Sequence, residues 1–321
     1  METINSFSKI SVIIPTKNEE NALQECLESI FNQSIRPLEV IIVDGGSTDK
    51  TLDIAKKFNT KILKEDSFLS PANARNLGIN VAKGDILLIM DADIQLHKDC
   101  LKYALEKFED KDVMIVLPTE MNITHSYLEH LQQKWNEGTR SYLSIGLKRA
   151  KTSGFVAFFR MQVFEKIKFS TKYGFGEDDD LITRIEKEFK GYKTVVVQEC
   201  KVISHSPHGF REFITRYMWW GRTFLYYFFD HFNIRSILNI SSLLLPFFVA
   251  FAFFLWWLLI PKIFVIFMIL LSLFVIKVLI VCIRSRSTMF VQFMLFDLMR
   301  SLCFVAGLLT SPFSIKKSKG R

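Results

Sequence analysis

Two carboxylates one residue apart, Asp91 and Asp93, stand at the end of an apolar run, Ile86-Leu87-Leu88-Ile89-Met90. The run reads as a buried strand, and the carboxylates sit where it must stop. Carboxylate oxygens are hard ligands suited to Mg²⁺ or Mn²⁺, and such an ion can in turn hold a diphosphate. A lone Asp-x-Asp is also a common solvated turn, so the pair needs support from the rest of the chain. A second acidic group is denser: Glu177, Asp178, Asp179 and Asp180 are consecutive and open a helical pattern. Acidic residues at a helix N-terminus complement its dipole. Four in a row exceed what capping needs, and their repulsion raises some of their pKa values. His205, just after a late strand, is a candidate further metal ligand or diphosphate contact, with a plain surface position as the alternative.

The elements around these groups alternate. Lys9–Ile14 reads as a strand stopped by Pro15, followed by the polar loop Thr16-Lys17-Asn18-Glu19-Glu20-Asn21 and a helix to about Asn32. Leu38–Val43 is a second strand, ending in Asp44-Gly45-Gly46-Ser47-Thr48-Asp49 before a helix. Thr60–Leu63 is a third, and Ser70–Gly78 opens the helix that Gly84 ends ahead of the Asp91 strand. Three strand–helix repeats predict an α/β, doubly wound, mostly parallel sheet. Open sheets of this kind bind ligands beyond the carboxyl ends of their strands. The first loop lacks Gly-x-Gly-x-x-Gly, which weakens a dinucleotide-binding reading. Further on, Val113–Leu117, Gly154–Arg160, Tyr192–Val197 and Lys201–Ser204 read as strands, with helices at Tyr127–Leu143 and from Phe175 to about Phe189.

In this order the motifs resemble the inverting family 2 glycosyltransferases with a GT-A fold, over about residues 9–235. The matching runs are Val12–Glu19, Val43–Asp49, Ala74-Arg75-Asn76-Leu77-Gly78, Met90–Asp93 and Gly176–Leu181. The resemblance implies a Rossmann-like sheet with flanking helices and transfer of a sugar from a nucleotide-sugar donor with the help of Mn²⁺ or Mg²⁺. It implies that Pro15, Thr16, Asn18, Glu19 and Asp44 hold the base and ribose, that Arg75 stands near the donor pocket, and that Asp91 binds ribose or metal. Asp93 would bind the metal directly, with His205 as a further ligand, and Asp178, paired with Glu177, would be the general base. Two departures matter. Gly45 stands where the family often has a second Asp, leaving Asp44 as the base-contact candidate there. The Gln-x-x-Arg-Trp motif of processive synthases is absent, the corresponding region reading Arg216-Tyr217-Met218-Trp219-Trp220-Gly221-Arg222. That argues for single-sugar transfer.

Composition places this chemistry at a membrane. Of the 321 residues 49% are hydrophobic and 31 are Phe, and the excess is concentrated after residue 236. A formal net charge of +8 without a Lys/Arg block gives no sign of a nucleic-acid partner and fits an anionic membrane face. The five cysteines show neither metal spacing nor a disulfide framework and fit a reducing compartment. Residues 1–8 carry no signal-peptide core. The expected organisation is a cytosolic GT-A domain at 1–208, amphipathic interfacial helices at 209–236, a helical membrane region at 237–310 and a basic cytosolic tail at 311–321. Spans are expected at 237–260 and 263–283, with Lys277 snorkelling toward Arg284 and Arg286. Asp297 and Arg300, spaced i to i+3, are expected to pair. A third span would carry the basic tail outside, so 289–310 is expected to be re-entrant or interfacial.

The reading is thus a multi-pass cell-membrane enzyme with its catalytic domain facing the cytoplasm. It moves a hexose to a membrane-held acceptor, either a lipid-linked saccharide or a polyprenyl phosphate, in surface glycan, polysaccharide or glycolipid synthesis. A dolichol-phosphate-type synthase is an alternative that the extended Glu177–Asp180 cluster followed by Leu181 fits less well. A non-catalytic nucleotide-sugar-binding membrane receptor is another, against which the intact Asp91, Asp93 and Asp178 count. A cysteine introduced at Ser318 tests the topology: it should resist membrane-impermeant thiol reagents applied to intact cells, and labelling from outside would refute a cytoplasmic tail.

Overall fold

Runs of Ile, Leu and Val set the sheet. Ile10–Thr16 (β1), Glu39–Asp44 (β2), Lys61–Lys64 (β3) and Ile86–Met90 (β4) form its parallel half. β1 and β4 are buried along their whole length, as strands covered on both faces must be. The computed structural model describes residues 9–65, 71–121, 127, 130–132, 134–135, 155–174, 176–204, 210–230, 241, 244–254, 263–285 and 287–310. It divides into two units, Met1–Ile123 with Gly146–His205, and Thr124–Ile145 with Ser206–Arg321.

In the first unit, Leu23–Phe31 (α1), Thr51–Ala55 (α2) and Pro71–Val81 (α3) link the parallel strands. Ile94–Leu96 (β5), Cys100–Lys107 (α4), Val113–Glu120 (β6), Val156–Arg160 (β7), Gln162–Lys166 (α5), Glu177–Glu188 (α6) and Lys193–Ser204 (β8) follow. The strand order is β3-β2-β1-β4-β7-β6-β8-β5. β7 runs antiparallel to β4 and β6, whereas β6 and β8 are parallel. The expected α/β class, a mostly parallel sheet with flanking helices, is the observed one.

Several details differ from expectation. β1 continues through Pro15, opposite Val43, to Thr16; the end of a strand tolerates a missing N–H. The two late strands are one, β8, with a register shift opposite Pro118/Thr119. β5, α4 and α5 were not read from the sequence; β5 and α5 are too short to show a period. The expectation of unpaired thiols is also corrected: Cys100 and Cys200 form a disulfide. Cys100 opens α4 and Cys200 lies in β8, elements that pack together although 100 residues separate the two cysteines. Spacing along the chain cannot show such a pair.

Alternate residues of the strands face two cores. One joins Val12, Ile14, Ile42 and Leu88 to α1, α2 and α4. The other joins Ile13, Val43, Leu87 and Ile89 to α3, α5 and α6. α3 lies close on β1, because a Cβ at Gly78 would collide with the Ile13 side chain. This close approach sets the height of Arg75, one turn earlier on the same helix.

The second unit contains Phe210–Asp230 (α7), Leu244–Phe254 (α8), Ile263–Ser285 (α9) and Phe290–Thr310 (α10). Phe213 meets Phe296 at 5.4 Å, the Arg300 guanidinium lies 5.2 Å over Tyr217, and Gly221 abuts the Phe304 backbone. The partners advance together, so α7 and α10 run parallel. Ile266–Ser285 and Phe290–Leu309 are long and apolar enough to cross a membrane, with mean hydropathies of 3.1 and 1.5. Large apolar side chains such as Ile266, Ile283, Leu295 and Leu309 are exposed on them. Half of the expected span 237–260 lies outside the described residues; within it, Leu244–Phe254 is an apolar helix. The expected Asp297–Arg300 pair and the snorkelling of Lys277 are corrected: Lys277 and Asp297 bond each other at 2.5 Å across the α9–α10 hairpin, with Asp297 fully buried. A buried carboxylate among apolar helices takes the cation that the hairpin brings opposite it.

The Gly78 contact yields a stability test. Gly78→Ala adds a methyl where Ile13 already sits, and overpacking of this kind costs about 1–3 kcal/mol. In a double-mutant cycle with Ile13→Ala, which removes the colliding Cγ2, the combined loss in thermal unfolding of the purified protein should be smaller than the sum of the two single losses.

Candidate functional site

β4 delivers Asp91 to the C-terminal edge of the sheet beside the antiparallel β7, which fixes it. The Asp91 N–H donates to the Phe155 carbonyl at 2.9 Å, and Asp91 Oδ2 accepts from the Phe155 N–H at 2.8 Å. Asp91 Oδ1 accepts from Arg75 Nη2 at 2.8 Å. Both oxygens are therefore oriented by protein donors, and each keeps a lone pair for another contact. Asp93 lies in the turn that follows, half-buried, before β5.

Arg75 is the connecting group. Its side chain is 2% exposed, and Nη1 donates to Glu177 Oε1 at 2.8 Å. Its guanidinium also lies 4.5 Å from the Phe155 ring centre and 5.3 Å from that of Phe169. Asn76 holds Phe169 by two bonds, donating to its carbonyl at 2.9 Å and accepting from its N–H at 3.0 Å. Burial alone would weaken the Arg75 charge, but the carboxylates of Asp91 and Glu177 reverse this and raise its pKa. A planar fork with donors on two sides, stacked on rings, is a task an ammonium cannot perform.

The four carboxylates at the start of α6 are not equivalent. Gly176, at φ +81°, turns the chain into the helix, a conformation L side chains rarely adopt. Glu177 is buried against Arg75, and burial pushes its carboxyl up to about 7 despite the Arg75 charge, with Asp178 adding to the rise. Asp180 is buried against Arg184, whose Nε donates at 2.8 Å. Asp178 and Asp179 stay partly exposed. Glu177 thus anchors the helix start, and the neighbouring Asp178 presents a carboxylate beside it.

The loop after β1 is locked to the loop after β2. Asn18, at φ 58°, accepts from the Thr48 N–H at 2.8 Å, and its own N–H donates to Ser47 Oγ at 2.9 Å. Asn and Asp tolerate this left-handed conformation better than other side chains. The Glu19 N–H donates to Thr51 Oγ1 at 2.7 Å. Pro15 and Thr16 are buried at the end of β1. Asp44 is 2% exposed, and both its oxygens serve its own turn: Oδ2 accepts from the Gly46 and Ser47 N–H groups at 3.1 Å, and Oδ1 from Ser47 Oγ at 2.5 Å. Asp44 therefore shapes the turn after β2.

Arg75, Asp91 and Glu177, with Asp178 adjoining, are brought together; Pro15, Thr16, Asn18, Glu19 and Asp44 form a neighbouring cluster at the ends of β1 and β2. His205 lies outside the described residues. Phe155 and Phe169 were not anticipated, since nothing local in the sequence marks an aromatic clamp contributed by distant loops. Among the described residues no three His, Cys, Asp or Glu side chains gather around a common point. Mg²⁺-type ions commonly take one or two carboxylates and complete their shell with water and substrate phosphates. The hard oxygens of Asp91 and Asp93 fit such an ion.

Residues 11–168 match the family model described as glycosyl transferase family 2. Glycosyltransferase GlyG of Streptococcus pneumoniae is 32% identical over 122 residues, 36% of this chain and 40% of the relative. The 4,4'-diaponeurosporenoate glycosyltransferase of Staphylococcus haemolyticus is 29% identical over 162 residues, 46% of this chain and 42% of the relative. The chain thus spans about two fifths of the length of these curated relatives. A solved mannosyltransferase, PcManGT from Pyrobaculum calidifontis in complex with GDP-Man and Mn²⁺, superposes with a TM-score of 0.61 at 17% identity, over 96% of this chain and 88% of that one. That likeness establishes the fold.

Removing Arg75 leaves two carboxylates without their cation, one of them buried. Arg75→Ala should lower the unfolding free energy by about 3–5 kcal/mol. Arg75→Lys should restore only part of it, measured by thermal unfolding in detergent; an unchanged Tm in Arg75→Ala would contradict the bridge.

Proposed function

Residues 11–168 are a family 2 glycosyltransferase domain, and on that premise we propose that the chain transfers one sugar from a nucleotide-sugar donor to a membrane-held acceptor with inversion at the anomeric carbon. The acceptor class is a lipid-linked saccharide or polyprenyl phosphate. The observation that carries the reading is the Arg75 bridge, which ties Asp91 at the donor edge to the helix start that presents Asp178.

The reaction needs two opposed groups. On a lipid-linked saccharide the acceptor hydroxyl is a weak acid and must lose its proton as it attacks, whereas a polyprenyl phosphate oxygen is already ionised. Asp178 takes that proton, the acceptor oxygen bonds to the anomeric carbon, and the bond from that carbon to the diphosphate breaks. The electron pair leaves with the nucleoside diphosphate. A bound Mn²⁺ or Mg²⁺ supplies charge neutralisation to that leaving group, with Asp93 and Asp91 as its protein ligands. Thr16, Asn18, Glu19 and the Asp44 turn form the nucleoside side of the pocket. Arg75 and Glu177 are positioning residues: they hold the base helix against the donor edge and are too enclosed to act on the acceptor.

The exposed apolar faces of α9 and α10 support a membrane-held acceptor. An enzyme confined to the bilayer meets a lipid-borne substrate at high effective concentration. A multi-pass arrangement with the catalytic domain in the cytoplasm, where nucleotide sugars are made, completes the proposal.

Asp178→Asn should cut the turnover number by about 10²–10⁴-fold while donor binding stays unchanged. EDTA should abolish transfer in wild-type membranes and Mn²⁺ should restore it. A folded Asp178→Asn enzyme with wild-type turnover would sink the assignment.

A further inference from the structure

Glu65 is a second built group at the donor edge of the sheet. It directly follows β3, and its N–H donates to the Asp44 carbonyl at 2.8 Å, making it the last rung of the β2–β3 ladder. It is 5% exposed. Oε1 accepts from Asn73 Nδ2 in the first turn of α3, while Oε2 has no hydrogen-bond partner in the structure. A buried carboxylate oxygen without a donor is costly, and proteins seldom leave one unanswered without a reason.

Its place in the fold supplies a reason. Leu63, two residues earlier on β3, packs with the core that contains Ala72 and Ala74 of α3. Glu65 therefore lies on the α3 side of the sheet, the side that carries Arg75. The strands stand in the order β3, β2, β1, β4. Glu65 and Asp91 are thus three steps apart along the edge, about 14 Å at a strand spacing of ~4.8 Å. An extended nucleoside diphosphate has this reach from the pairing edge of its base to its diphosphate. Asp44, between them, is committed to its own turn.

We propose that Glu65 reads the base of the nucleotide-sugar donor and that this base is guanine; the assignment rests on the glycosyltransferase reading above. An ionised carboxylate only accepts hydrogen bonds, so it selects a base by the donors that base presents. Guanine offers two N–H groups side by side on its pairing edge, N1–H and the exocyclic N2–H. Oε2 takes one, and Oε1 keeps a lone pair beside its Asn73 bond for the other, giving a two-point, charge-assisted contact. Uracil and thymine offer a single N3–H flanked by two carbonyl oxygens, one of which would face a carboxylate oxygen. Adenine and cytosine set one amino group beside a ring acceptor, with the same conflict. Asn73 fixes the carboxylate rotamer and is a positioning residue.

Calorimetric titration of the full chain in detergent, with Mn²⁺ and with GDP, UDP or ADP, tests the assignment. GDP should bind tightest. Glu65→Gln should weaken GDP by about ten- to a hundredfold and leave UDP unchanged. Glu65→Asp, which keeps the charge but shortens the reach, should also weaken GDP, and retained UDP binding in both variants would show that the pocket is folded. Tighter binding of UDP than GDP by the wild type, or wild-type GDP affinity in Glu65→Gln, would overturn the guanine assignment and leave the glycosyltransferase reading standing. Binding of no nucleotide at all would overturn that reading and the guanine assignment with it.

Discussion

One guanidinium holds the catalytic half of this protein together. Arg75 reaches from a helix on one face of the sheet to a carboxylate at the end of a central strand and to another at the start of a distant helix. Each contact needs a charge and a direction, and the two aromatic rings exclude the water that would weaken both. The rest of the first unit serves this point. Gly78 lets the helix lie close enough, β7 supplies the backbone that orients Asp91, and Gly176 turns the chain so that Glu177 meets the cation. Ionising Glu177 in this buried position is unfavourable by itself, as its elevated pKa shows. The bridge is therefore an arrangement for geometry more than for stability.

The same constraint separates residues that look alike in the sequence. Glu177 and Asp178 are neighbours in one acidic run, yet one is enclosed against Arg75 and the other is left partly exposed. Asp91 and Asp93 divide similarly, the first oriented by Arg75 and Phe155, the second following in the turn. Asp44 is turned inward by Ser47, and both its oxygens serve its own turn. Chemistry that needs a proton acceptor and a leaving-group site at a fixed separation is met by a rigid sheet edge with one clamp across it.

Much of this was legible in the sequence because the parallel half of the sheet is built from continuous apolar runs punctuated by polar loops. Ile86–Met90 is a strand from its composition alone, and Asp91, Arg75 and Glu177, each in its own motif, meet in one cluster. What the sequence withheld was long-range. Cys100 meets Cys200, Phe155 and Phe169 close on Arg75, and Asp297 pairs with Lys277 and not with the nearer Arg300, because each pairing depends on elements that only the fold brings together. β5 is three residues long and shows no period. Glu65 carries no motif; its significance lies in being buried with one oxygen unanswered.

The second unit carries apolar helices with exposed Ile and Leu and the Lys277–Asp297 ion pair between two of them. The central claim, that a single carboxylate base presented by the Arg75-anchored helix acts opposite the leaving diphosphate, is tested most directly by the stereochemistry of the product. Proton NMR of the product first formed from an α-configured nucleotide sugar should show the β anomer, as one in-line displacement requires. An α-configured product would contradict the account.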